Sequence, residues 1–241
     1  GMSSGGFDPS VGPLVKLWGV GTENARIPRP EEIETALALT DYRRVQTDPE
    51  NRGVLLADRG MALDLGGIAK GYAADEAAKI LVNHGVTGAT VNLGGNVLTL
   101  GEKPDGSPWK IGIQDPASGR GDYVAILQVK DLSVVTSGPY ERFFIGPDGK
   151  RYHHILSGET GYPVESVIIS VTILARDSMT ADALSTAVFV LGLGKGMELI
   201  ESLEGIEGMF ITQEQAVYAS SGLLNQEIPF SLSDTNYTLV R

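Results

Sequence analysis

Three short stretches carry residues whose types and spacing could do chemistry. In Leu63-Asp64-Leu65-Gly66-Gly67-Ile68-Ala69-Lys70-Gly71 an apolar strand end runs into paired glycines and then a helix start with a lysine in its first turn. Free N–H groups and the positive dipole end of a helix favour phosphate, glycines admit it to the backbone, and Lys70 adds a full charge. The glycine spacing is not that of a Walker A loop, and the same residues equally suit a tight turn with an exposed lysine. In Thr180-Ala181-Asp182-Ala183-Leu184-Ser185-Thr186, Asp182 and Thr186 are four apart and share one helix face. Their oxygens could grip a hard cation such as Mg²⁺, which takes few protein ligands and completes its shell with water and phosphate. Taken alone, the simpler explanation is an acidic residue favoured by the helix dipole and a threonine bonding back one turn. In Tyr152-His153-His154-Ile155-Leu156 two adjacent histidines precede a glycine-containing turn. Neighbours on a strand point to opposite faces, so the pair does not chelate one metal, and one ring faces inward. A histidine beside a phosphate can donate a hydrogen bond or act as a general base.

Two further stretches are set aside. Gly192-Leu193-Gly194-Lys195-Gly196 has dinucleotide-loop glycines but follows a helix, and Met197 stands where the third glycine belongs, so it reads as a helix break and restart. Thr136-Ser137-Gly138 lacks a nucleophile elbow around it and suits a turn or a ligand hydrogen bond.

The elements that must position these residues follow from periodicity. Glu31 to Leu39 reads as a helix behind Pro28 and Pro30, and Gly53–Ala57 with Met61–Leu65 as a hairpin around Asp58-Arg59-Gly60. A long helix opens at Ile68 or Ala69 and runs to about Asn83, with Gly85 at its C-terminal cap. The middle of the chain is mostly strand: 89–93 and 97–100 around Gly94-Gly95-Asn96, then 109–114, 123–129 and 133–136. A buried strand (167–175), two helices (180–191 and 195–203) and a hairpin (209–212 with 216–219) follow. Strands outnumber helices without βαβ alternation, which predicts an α+β fold in one compact unit.

Composition narrows the field. The 241 residues carry 19 Lys and Arg against 30 Asp and Glu, a formal charge of −11 that repels nucleic acid and anionic lipid. With no Cys, thiolate catalysis, disulfides, Cys-based zinc sites and iron–sulfur clusters are excluded, and any metal must be held by oxygen or by the three His. Apolar runs such as Val167–Ala175 fall short of the roughly 18 residues a membrane span needs. Gly1-Met2 looks like a tag remnant before a start residue, and no signal segment follows it.

Read together, the blocks Gly5-Gly6-Phe7-Asp8-Pro9, Asp64 to Tyr72, Asn92-Leu93-Gly94-Gly95-Asn96, Thr136-Ser137-Gly138, His154-Ile155 and Ala181 to Ala187 occur in the order found in the ApbE family, which the chain resembles from Gly5 to about Gly222. The resemblance implies a single ApbE-like domain over 1–241, lacking the family's N-terminal segment, with a T-fold-related architecture of mixed, mostly antiparallel sheet and packed helices. It implies Mg²⁺-dependent transfer of FMN from FAD to a Ser or Thr hydroxyl of an acceptor protein, with release of AMP. Acceptors in the family include subunits of membrane redox complexes. The alternatives are an FAD-binding protein without turnover and a Mg²⁺-dependent FAD pyrophosphatase. By resemblance Asp64 and Lys70 contact FAD, the Gly67 carbonyl, Asp182 and Thr186 hold the metal, His154 rather than His153 lies at the flavin nucleotide, and Ser4, Gly5 and Gly6 form the adenine-side segment. His154, Asp182 and Lys70 are the expected catalytic groups. The family is exported and lipid-anchored outside the cytoplasm. Two departures border the expected site: Ser157-Gly158 replaces an Asp-Pro, and Pro139 sits where a polar residue is common.

Overall fold

The computed structural model describes residues 3, 5–118 and 121–240. In chain order the elements are α1 (Gly12–Trp18), α2 (Pro30–Leu37), β1 (Val45–Asp48), β2 (Gly53–Leu56), α3 (Gly66–Asn83), β3 (Gly88–Leu93), β4 (Asn96–Gly101), β5 (Trp109–Gln114), β6 (Tyr123–Val129), β7 (Ser133–Ser137), β8 (Phe143–Ile145), β9 (Arg151–His153), β10 (Ile168–Ala175), α4 (Ser178–Leu191), α5 (Leu193–Glu201), β11 (Glu207–Thr212), β12 (Ala216–Ala219), α6 (Ser221–Leu224), β13 (Phe230–Leu232) and β14 (Thr238–Val240). The fold is α+β with mostly antiparallel pairing. It divides into two compact units, one made of Gly1–Leu65 and Pro139–Glu165, the other of Gly66–Gly138 and Ser166–Arg241. No helix among the described residues is long and apolar enough to cross a membrane.

The second unit is built on a seven-stranded sheet in the order β14-β12-β11-β10-β7-β4-β3, with a three-stranded sheet β13-β6-β5. Among the described residues, only β12 and β14 pair in parallel there. The central strand β10 lies between β7 and β11 and is buried along nearly its whole length, as a strand covered on both faces must be. On one side Leu174, Val134, Met209, Ile211 and Val217 join Ile113, Ala125 and Leu127 of the smaller sheet in an apolar core. α3 covers the β3–β4 end, where Ala74 and Ala78 pack with Leu98. The β3–β4 turn is tight because Gly94 and Gly95 both adopt positive φ, 63° and 93°, which side-chain-bearing residues rarely reach.

The first unit packs α1 and α2 around Leu14, Trp18, Ile33, Ala36 and Leu156. The Trp18 indole donates to the Gly161 carbonyl at 2.8 Å and stacks on Tyr152. One expectation is corrected here. Residues 53–57 do not form a hairpin with 61–65; β2 pairs instead with β1, upstream of it. The Asp58-Arg59-Gly60 turn forms, with the Met61 N–H on the Asp58 carbonyl, but the segment beyond it joins the N-terminal stretch. Ala62 bridges Val11, and the Asp64 N–H donates to the Pro9 carbonyl at 2.7 Å. Gly12 makes this possible, since a Cβ there would lie 2.7 Å from the Ala62 oxygen. α3 also starts earlier than its apolar periodicity indicates, so that Gly66 and Gly67 belong to its first turn.

Candidate active site

The site is clearest where α3 and α4 meet in the second unit. α4 begins at Asp177, whose carboxylate accepts the Thr180 N–H at 2.6 Å, so an N-cap fixes the phase of every residue behind it. Five positions after the cap Asp182 turns inward. It is 3% exposed, and its Oδ2 accepts the Gly71 N–H of α3 at 2.9 Å. A side chain at residue 71 would abolish this approach, because its Cβ would fall within 2.5 Å of the Met179 Cα. Burial pushes the Asp182 carboxyl above the usual carboxylate range, against the opposing pull of the Gly71 N–H, the Lys70 charge and the Lys70 N–H.

Lys70 is half-buried in the first turns of α3, and Thr186 is half-buried one helical turn beyond Asp182. Hydroxyl pairs continue the polar lining of α4. Ser185 Oγ donates to the Asp182 carbonyl and meets Ser137 Oγ at 2.8 Å, which gives Ser137 a helix-docking hydrogen bond. Thr136 Oγ1 meets Thr172 Oγ1 across β7 and β10, also at 2.8 Å. Among the described residues no three His, Asp or Glu side chains gather as a metal cluster. The oxygen set at the α3–α4 junction holds a single carboxylate among the expected ligands.

The first unit holds the remaining expected residues. The two histidines differ as their alternation predicts. His153 is buried, its Nε2 donates to the Val164 carbonyl at 3.0 Å, and its Nδ1 accepts the Ile155 N–H. Burial holds this imidazole below the usual histidine range, so His153 is a neutral core residue. His154 is half-buried with Nδ1 at 3.1 Å from the Arg142 carbonyl. A carbonyl only accepts, so Nδ1 carries a proton and donates it to Arg142. Asp64 is half-buried. Gly5, at φ 94°, and Gly6 lie in a turn closed by the Gly6 N–H on the Ser3 carbonyl; Ser4 lies outside the described residues. Asp8 is structural, accepting from Ser10 and from the Tyr42 N–H. At the departure from the Asp-Pro pattern, Ser157 Oγ accepts the N–H groups of Glu159 and Thr160, so a hydroxyl caps this turn.

The chain matches the model of the ApbE family over residues 1–210. A FAD:protein FMN transferase of Treponema pallidum is 40% identical over 237 residues, aligning 93% of this chain with 65% of its own length. Another, from Klebsiella pneumoniae, is 40% identical over 234 residues, 97% of this chain and 71% of that protein. This chain belongs to the ApbE family. The ApbE protein of Thermotoga maritima superposes with a TM-score of 0.83 at 41% identity, covering 91% of this chain and 71% of that one. The flavin transferase ApbE from Vibrio cholerae does so with 0.81 at 32% identity, covering 93% and 72%. This ApbE-family protein thus spans about two thirds of the length of the curated relatives it matches.

Two residues at the ApbE-family junction carry no chemical signature in the sequence. Asp75 of α3 accepts the Ser178 and Met179 N–H groups of α4, each at 2.9 Å. Burial raises its carboxyl despite those bonds, and Asp177 nearby adds to the rise. Asn96 accepts the Ser178 hydroxyl at 2.8 Å while fully buried. Asp75 could have been found by its position one turn after Gly71 on the same helix face, and Asn96 by its place in a family block; nothing in either signal specifies the partner.

Proposed function

We propose that this protein transfers FMN from FAD to a serine or threonine hydroxyl of an acceptor protein, releasing AMP. The observation that carries the reading is the buried Asp182 carboxylate held on the Gly71 N–H, in the opening turns of the helix that bears Lys70. Of the residues this reading uses, Gly5, Gly6, Asp64 and His154 belong to the first unit and Gly67, Lys70, Asp182 and Thr186 to the second.

The donor chemistry suits Mg²⁺. Carboxylate, hydroxyl and carbonyl are all hard oxygen ligands, and a buried carboxylate with a raised pKa is relieved by a cation. Asp182, Thr186 and the Gly67 carbonyl would hold it, and the bound ion would withdraw charge from pyrophosphate oxygens. Lys70 stabilises the charge that develops as the acceptor oxygen bonds to the FMN phosphorus and the bond to AMP breaks. His154 Nε2 takes the hydroxyl proton, with its ring oriented by the Arg142 carbonyl. Asp64 and the Gly5-Gly6 turn bind the nucleotide. The acceptors this reading selects are exported proteins such as subunits of membrane redox complexes, reached from outside the cytoplasmic membrane.

The test is incubation of the protein with FAD, with and without Mg²⁺, and a peptide carrying a Ser/Thr flavinylation site, followed by mass analysis of peptide and nucleotide. The expected outcome is a peptide heavier by FMN minus water, with AMP appearing only when metal is added. Free FMN and AMP without a peptide adduct would replace transfer by hydrolysis, and intact FAD would replace it by simple binding. His154→Ala is expected to slow turnover by about 100-fold; full turnover in that variant, with none in Asp182→Ala, would remove His154 from the role of base.

A further inference from the structure

Asp75 lies outside every set of residues assigned above to substrate or metal, yet it binds the two helices of the site together through two hydrogen bonds. Its two carboxylate oxygens take the first two N–H groups of α4, those of Ser178 and Met179, while Asp177 takes the third from Thr180. A helix start leaves these donors without intrahelical partners, and here a neighbouring helix supplies the acceptor. The exchange is reciprocal. α3 lends Asp75 to the first turn of α4, and α4 returns Asp182 to the Gly71 N–H, one turn back along α3. The two bonds bracket the point where Gly71 lets the backbones approach. Ser178 is held a second time, through its hydroxyl on Asn96 at the start of β4. Asn96 is fully buried, and among the described residues its Nδ2 meets no hydrogen-bond partner.

We propose that Asp75 is a positioning residue for the transfer reaction: by clamping the first turn of α4, with Asn96 in support, it sets where the Asp182 carboxylate lies against the Gly67–Gly71 turn. The inference deepens the proposed function and rests on it for its consequence in catalysis. A helix is stiff over the four residues from Ser178 to Asp182, so a shift or tilt of the first turn carries to Asp182, and metal sites lose affinity when their supporting contacts loosen.

The experiment uses the full chain as wild type, Asp75→Asn and, as a milder second variant, Ser178→Ala, which loses only the bond to Asn96. Two quantities are read in folded protein at a temperature below the transition of each variant. The first is the Gly71 amide, by NMR shift and hydrogen exchange, which reports the Asp182 contact without any ligand. The second is the Mg²⁺ concentration giving half-maximal FMN transfer, together with Mg²⁺ binding measured by calorimetry. Asp75→Asn is expected to move the Gly71 resonance toward its position in Asp182→Asn, to raise its exchange rate and to weaken Mg²⁺ binding about tenfold. Ser178→Ala is expected to move both readouts the same way by less, and it carries the test if Asp75→Asn does not fold. A lowered melting temperature with an unmoved Gly71 amide and unchanged Mg²⁺ dependence would make Asp75 a helix cap only and overturn the proposal. A wild type without Mg²⁺ binding or FMN transfer would instead sink the proposed function, while the Gly71 amide would still decide whether Asp75 positions Asp182.

Discussion

Two aspartates of the second unit are almost equally buried, Asp115 at 4% and Asp182 at 3% exposure, and their acidities move in opposite directions. For Asp115 burial pushes the carboxyl up, but the Tyr237 hydroxyl at 2.6 Å, the Ala117 N–H at 2.8 Å and Ser118 together hold it below the usual range. Asp182 lies deeper beneath the surrounding protein and has fewer donors, so burial wins and the carboxyl is raised. The difference teaches what each group is for. Asp115 is satisfied by its own fold and ties the end of β5 to the C-terminal segment. Asp182 is left with fewer donors, and in the proposed function a cation would complete its surroundings.

The comparison breaks most visibly at Asp182. Asp182→Asn is expected to lower FMN transfer by about 100-fold or more while leaving the melting temperature unchanged or higher, because a neutral amide is cheaper to bury. A large loss of stability would mean that Asp182 is structural like Asp115. The reverse pattern is expected for Asp115→Asn: a loss of about 2 kcal/mol by chemical denaturation, with transfer per folded molecule retained. Tyr237→Phe removes the hydroxyl donor to Asp115 and should cost about 1–2 kcal/mol in the same assay, again with transfer intact.

The smallest effect is a pH dependence whose sign differs between the two. The lowered pKa of Asp115 contributes stability above the ordinary carboxylate value that is lost as pH falls through the lowered one. Asp182 is raised, so metal-free native protein holds that proton more tightly than the unfolded chain, and stability grows as pH falls from the raised value toward the ordinary one. Melting curves from about pH 7 to pH 3 should therefore lose the gain in Asp182→Asn and the loss in Asp115→Asn. Identical profiles for the two variants would erase the distinction.

Much of the fold is legible in the sequence where periodicity is strong. The α4 helix, the Gly94-Gly95 turn and the β10 strand lie within two residues of where their patterns put them, and α3 opens two to three residues early. β1 is hidden because Val45-Gln46-Thr47-Asp48 has one apolar residue and an exposed face, and β8, β9, β13 and β14 are three-residue strands below the length at which alternation registers. Residues 61–65 mislead for a related reason: an apolar run after a turn reads as the return strand of a hairpin, while the true partner of β2 came before it. At the site, residue types and helix faces are legible for Asp182, Thr186 and Lys70, and alternation separates His153 from His154. What sequence spacing cannot express is a contact across 111 residues such as Asp182 to Gly71, or a cap lent by another helix, as Asp75 is to α4.

The parallel pairing of β14 on β12 has a bearing on how the chain is made. A ribosome delivers β12 well before Thr238–Val240, so during synthesis the outer edge of the large sheet is bare, with β12 offering its backbone groups to any passing strand until residues 238–240 emerge. Deletion of residues 238–240 would then be expected to yield a sticky, aggregating product.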